Sequence, residues 1–121
     1  QMPFPIGNGP GQGFTQVGLD ASSTTGDGTE YVLETPLSNW AVTTVNTSQA
    51  AGGPSTAATV LLRGSATTSS GSVYSTIKSI TASTGGETTW STEQFAARQV
   101  KLTLDSQSSS GRVSGWITGA P

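Results

Sequence analysis

The chain has 121 residues, 32% of them hydrophobic and 10% charged, with seven acids against five bases, a formal net charge of −2, and neither His nor Cys. That length suits one domain with a two-layer interior, and a low apolar share combined with so few charges is not the charge-rich composition of a disordered chain. Disulfides and thiolate metal sites are excluded, no Lys/Arg cluster supplies the footprint that DNA or RNA requires, and no apolar run approaches the roughly 20 residues of a membrane helix.

Taken in chain order, residues 1–13, QMPFPIGNGPGQG, come first and mix three prolines with four glycines, which blocks both helix and regular sheet pairing. We expect an extended N-terminal arm over 1–13 and a β-sandwich domain over 14–121. Gln1 precedes Met2, so Met2 is either internal or follows an added residue. The arm carries Met2, Phe4, Pro5 and Ile6 and is followed by Phe14, apolar side chains that a free tail would expose to water. They are the expected interface residues of an arm lying on a neighbouring subunit.

Beyond the arm, β-like runs alternate with Ser, Thr and Gly clusters at the spacing of a sandwich. The expected strands are Phe14–Asp20, Glu30–Thr35, Trp40–Thr47, Ala57–Gly64, Val73–Ala82, Thr88–Thr92, Arg98–Asp105 and Arg112–Thr118, with SSTTGDGT, QAAGGPS, ATTSSGS, STGGE and SQSSSG as turns. The fold class is therefore all-β, an antiparallel, jelly-roll-like sandwich of about eight strands. Alternation is cleanest at Val100, Leu102 and Leu104, with Gln99, Lys101, Thr103 and Asp105 on the opposite face. Ile77 and Ile80 break the period around Val73 to Ile80; a β-bulge there would restore it, and a helical turn is the alternative that pattern alone leaves open. STEQFAARQ has a capping-box-like start but is too short for a free-standing helix, and reads as a loop or single turn.

The chemistry is sparse. Without His, the commonest general base and the usual partner of a Ser nucleophile are missing. Seven carboxylates remain, with no pair set apart for glycosidase-type work. Asp20 with Asp27-Gly28-Thr29-Glu30 lacks the alternating spacing of a calcium loop and reads as a turn. GNGPGQG lacks the strand, helix and Lys of a phosphate loop. Asn46-Thr47-Ser48 has the form of a glycosylation acceptor, a form common by chance in a Ser/Thr-rich chain. No catalytic, cofactor-binding or metal residue is assigned. Trp40 shares a face with Val42 and belongs to the core, whereas Trp90 and Trp116 are candidate ligand or interface aromatics, able to stack on sugar rings.

From Trp40 onward, the stretches TVLLRGS (59–65), GSVYSTI (71–77), TGGE (84–87), ARQVKLTL (97–104) and SGRVSGWI (110–117) follow one another in an order that resembles a bacteriophage virion sandwich related to galactose-binding-like, or discoidin-like, domains. Gln99 and Lys101 depart from the aromatic and Arg usual there. The resemblance implies a jelly-roll-like fold of the kind found in capsid decoration and tail proteins and in carbohydrate-binding modules. The functional expectation is a non-catalytic capsid decoration protein on the virion surface. It would bind the major capsid protein or tail proteins and form a homo-oligomer, with no cofactor, nucleic acid or membrane partner. The alternative is a glycan-binding or host-adhesion module of a phage tail or an extracellular enzyme.

Overall fold

A computed structural model describes residues 4–48, 57–67, 73–82, 88–107 and 111–121. Every regular element described is a strand: β1 (Phe4–Ile6), β2 (Phe14–Ser22), β3 (Gly26–Asp27), β4 (Tyr31–Ser48), β5 (Ala58–Ser65), β6 (Ser75–Ala82), β7 (Thr88–Ser106) and β8 (Gly111–Ala120). They form one unclosed sheet in the order β2-β8-β4-β7-β5-β6, with β3 added to β7 and β1 to β4; all pairs are antiparallel except β1 with β4.

The sheet doubles over because β4 and β7 each serve two layers. Their mutual register slips between Val32 and Asn39, opposite Gln94 to Gln99, and this is where both strands turn. The first layer is β2, β8, the second part of β4 and the first part of β7; the second is β3 with the start of β4, the rest of β7, β5 and β6. Two four-stranded layers in this order make a jelly roll, with one continuous β7 supplying a strand to each.

The interior lies between them. Leu33, Leu37, Trp40, Val42, Val60, Leu62, Val100, Leu102, Leu104, Val113 and Ile117 are all fully buried, so a modest apolar share still fills a core when alternation places it on one side. The layers meet closely at Leu102, whose Cδ1 lies 2.6 Å from where a Cβ on Gly115 would stand. The Trp40 indole donates to Phe95 O at 2.6 Å, satisfying the one polar atom that burial would orphan. Gly28 lets two backbones cross, since a Cβ there would stand 1.8 Å from Gly18 O. Thr29 N donates to that same oxygen and the Tyr31 hydroxyl to Val17 O, so the outer edge of β2 is covered from within.

Several expectations change. Glu30–Thr35 and Trp40–Thr47 are one strand, β4, and Thr88–Thr92 and Arg98–Asp105 are one strand, β7. STEQFAARQ is therefore neither loop nor helical turn. Ser91 to Gln94 pair with Val42 to Asn39, and a completed ladder outweighs one short helical turn. The expected turn SSTTGDGT contains β3, paired with Leu104 and Thr103. The bulge is present: Leu62 faces Lys78 and Arg63 faces Thr76, leaving Ile77 as the extra residue while Ile80 is buried. The turns expected within 49–56, 68–72, 83–87 and 108–110 lie outside the described residues.

Candidate functional site

On the outside of the second layer, the positions that alternate with Val100, Leu102 and Leu104 gather the densest polar cluster described. Lys101 sits mid-strand on β7 and is only 8% exposed. Its Nζ lies 2.8 Å from Asp27 Oδ2 on β3 and 4.2 Å from the centroid of the Tyr74 ring, so the ammonium is held by an ion pair and a cation–π contact together. Asp27 Oδ1 accepts from the Thr103 hydroxyl at 2.8 Å. The Tyr74 hydroxyl lies 2.8 Å from Glu30 Oε2 and 3.0 Å from Gln99 Oε1. One phenolic proton serves one acceptor; with the Gln99 amide turned over, its Nε2 would donate to the phenol while the phenol donates to Glu30. Arg63 Nη2 donates to Tyr74 O at 3.3 Å, which fixes the segment before β6 across this face.

The electrostatics follow the contacts. The Lys101 hydrogen bond holds the Asp27 carboxyl below the usual value, with Thr103 and the Lys101 and Arg63 charges helping and partial burial opposing. Burial, then the hydrogen bond and charge of Glu30, pushes the Tyr74 phenol far above its ordinary value. Burial also raises that of Tyr31. Lys101 is clasped on two sides, by the Asp27 carboxylate and the Tyr74 ring. The cluster fastens β3, β7 and the chain before β6 to one another, and its carboxylates are spent on this. Asp27 and Glu30, considered above as calcium ligands, face Lys101 and Tyr74 instead. Among the described residues no group of three or more His, Cys, Asp or Glu could hold a metal ion.

The outside of the first layer is different in kind. Val17 on β2, Trp116 on β8, Thr43 on β4 and Trp90 on β7 occupy one register row across all four strands. The next row is Thr15, Thr118, Ala41 and Thr92, and the one after it contains Ala120, Asn39 and Gln94. None of these positions carries an ionisable side chain. Trp116 is half-buried and Val17 is 38% exposed. The Thr15 and Thr118 hydroxyls lie 3.1 Å apart, and Gln94 Nε2 donates to Asn39 Oδ1 at 3.1 Å. A groove of about 370 Å³ lies beside them, lined by Asn39, Trp40, Thr92, Glu93 and Gln94. Of the two aromatics singled out in the sequence, Trp116 is half-buried on this face, and Trp90 holds a register position two strands from it, its side chain lying outside the described residues. No sequence period announces this, because the row is assembled by pairing between distant segments.

The arm lies against its own domain. Phe4 to Ile6 pair with Tyr31 to Leu33, and Phe4 N donates to Glu30 O at 2.6 Å. Asn8, only 3% exposed, clamps it: Nδ2 donates to Gln12 O and Thr35 O, and Oδ1 accepts from Glu34 N and Thr35 N. Ile6 packs on the core, and Phe14 lies on Tyr31 and Trp40 at ring-centroid distances of 5.9 and 6.1 Å. Phe4 remains 52% exposed and Pro5 is exposed; Met2 lies outside the described residues. Since Phe4 N is turned toward β4, the following N points away from it, and Pro5 has no hydrogen there, which blunts the outer edge of β1 against strand addition. The Asn46 sequon is closed: the side chain is fully buried and donates to Ala82 O at 3.2 Å.

No family model, curated protein or solved structure matches this chain.

Proposed function

We propose that this protein is a non-catalytic structural module of a bacteriophage virion, a capsid decoration protein that binds neighbouring shell subunits in many copies. The observation that carries the reading is the jelly-roll order of the two layers, an architecture used by capsid and lectin domains. Fold of itself licenses only analogy. What adds to it is the use of ionic groups: Asp27 and Lys101, Glu30 with Tyr74, and Lys78 with Glu93 all hold strands to strands, while Arg98 donates to Leu33 O and Glu34 O where β4 turns between layers. A shell subunit gains further stability from repeated contacts by mass action, so a small core suffices. Phe4 and Pro5, exposed beside a blunted strand edge, suit side-chain contact with a neighbour better than strand exchange.

Imaging of particles purified from the protein's source, labelled with antibody against this chain, tests the reading. Regularly spaced label over the shell is expected, reduced in particles assembled with Phe4→Ser. Particles without label would overturn it.

A further inference from the structure

We infer that Asn8 is a latch that modifies itself: its hydrogen bonds hold the N-terminal arm on the turn of β4 and keep the Asn8-Gly9 pair from deamidating, and deamidation after the arm lifts prevents it from closing again. The chemistry begins in the sequence. Of the three asparagines, Asn8, Asn39 and Asn46, only Asn8 precedes a glycine. With no Cβ to shield it, a glycine N is the backbone nitrogen that most easily reaches the side-chain carbonyl carbon before it. In the reaction Gly9 N gives up its proton and attacks Asn8 Cγ; the N–Cγ bond forms, the Cγ–Nδ2 bond breaks, and ammonia leaves with the proton. Water then opens the cyclic imide at either carbonyl. The product is an aspartyl residue or an isoaspartyl one, whose main chain runs through the former side chain, and no oxidant or reductant takes part.

The fold withholds both reacting groups. Asn8 is 3% exposed, its Nδ2 donates to Gln12 O and Thr35 O at 3.2 and 3.0 Å, and its Oδ1 accepts from Glu34 N and Thr35 N at 3.1 and 3.2 Å. Gly9 N donates to Gln12 Oε1 at 2.9 Å, so the nucleophile is spent inside a turn that Gln12 N closes on Gly9 O at 3.0 Å. Ring closure needs these bonds broken, and a three-residue strand held by β4 is the kind of element that opens without the rest of the fold. The same bonds make the change one-way. A carboxylate in place of the amide still accepts from Glu34 N and Thr35 N, but it turns an oxygen without hydrogen on Gln12 O and Thr35 O, in a buried site where both carbonyls lose their donor. Glu34, exposed on the same turn, adds like charge. Arg98 reaches this turn from β7, and its Nε and Nη2 are bonded to Leu33 O and Glu34 O. An isoaspartyl product fits worse still, because its lengthened main chain displaces Gly9 from Gln12.

The inference does not rest on the virion reading; either stands without the other. The whole chain, incubated in mildly alkaline buffer either folded or in urea, tests it, with conversion at each asparagine read by mass spectrometry of peptic fragments and isoaspartate by enzymatic methylation. Asn8 is expected to deamidate about tenfold or more faster in urea than in the folded protein. Ile6→Ala, which loosens the arm from the core, should raise the folded rate. Gly9→Ala should suppress conversion in both states and leave the arm docked, since Gly9 has no positive φ and an added Cβ would meet Gln12 Oε1 at 3.4 Å, an ordinary contact. Asn8→Asp should free the arm directly: hydrogen exchange at Phe4 N, which donates to Glu30 O in the docked arm, should quicken about tenfold or more. If that variant does not fold, the deamidated fraction of protein aged in native buffer, separated by its added negative charge, supplies the same measurement. Equal rates in the folded and unfolded chain, conversion at Asn39 or Asn46 ahead of Asn8 in urea, or Phe4 exchange unchanged by conversion at position 8 would overturn the inference.

Discussion

One strand, β7, takes part in both outer faces of the molecule. Its second part places Gln99, Lys101 and Thr103 on the outside of the second layer, where Asp27, Glu30 and Tyr74 close over them. Its first part places Thr92 and Gln94 on the outside of the first layer, in rows without an ionisable group. In the second layer the polar groups satisfy one another and the surface is sealed. In the first, hydroxyls and amides occupy the outward rows with Trp116 among them. The two faces thus use polar groups differently: on the second layer charges with fixed partners hold segments together, and on the first neutral groups are bonded in local pairs, Thr15 with Thr118 and Gln94 with Asn39.

The largest expected effect breaks the sealed face. Lys101→Ala removes the ion pair with Asp27 and the contact with the Tyr74 ring. It should cost about 2 kcal/mol by urea denaturation, below the cost of breaking a fully buried pair, because the Asp27 side chain is 49% exposed. Lys101→Met, which keeps an apolar stem at this buried position, should cost less. Equal losses would show that the packed stem contributes nothing.

Stability against pH sharpens the same contrast. The Tyr74 phenol is raised in the folded state, so above pH 10.0, the ordinary tyrosine value, the unfolded chain ionises first and stability falls with further rise. The Asp27 carboxyl is lowered, so its contribution is present above 3.8 and is lost as pH falls through its folded value. Tyr74→Phe should flatten the alkaline arm of the unfolding midpoint and Asp27→Asn the acid arm. Unchanged profiles in both variants would mean that the cluster is not linked to folding.

The smallest effect is expected on the open face. Thr92→Glu should shift stability by no more than about 0.5 kcal/mol, since Thr92 is exposed and holds no segment in place. A loss as large as that of Lys101→Ala would erase the distinction between the faces.

Much of the architecture is written locally. Val100, Leu102 and Leu104 alternate with Gln99, Lys101 and Thr103, which is enough to give a half-buried strand and its sidedness, and the misplaced pair Ile77 and Ile80 marks an irregularity, bulge or helical turn, that β6 resolves as a bulge. The absence of His and Cys narrows the chemistry without any fold. Local pattern fails where the chain changes layer. Around Leu33 to Leu37 and Phe95 to Arg98, alternation is interrupted because the inward side changes there, so β4 and β7 each read as two strands with a break between. Gly9 and Gly11 around Asn8 read as a featureless arm, and only its burial at the turn of β4 reveals a clamp. Lys101 reads as an outward lysine because the ring that covers it comes from Tyr74, far along the chain, and Trp90 and Trp116 share a row only through β4. The sequence by itself determined which residues alternate and which chemistry is missing, since both depend on near neighbours. Tertiary structure alone decided which polar face is sealed and which is open, since that depends on contacts between segments that no local period connects.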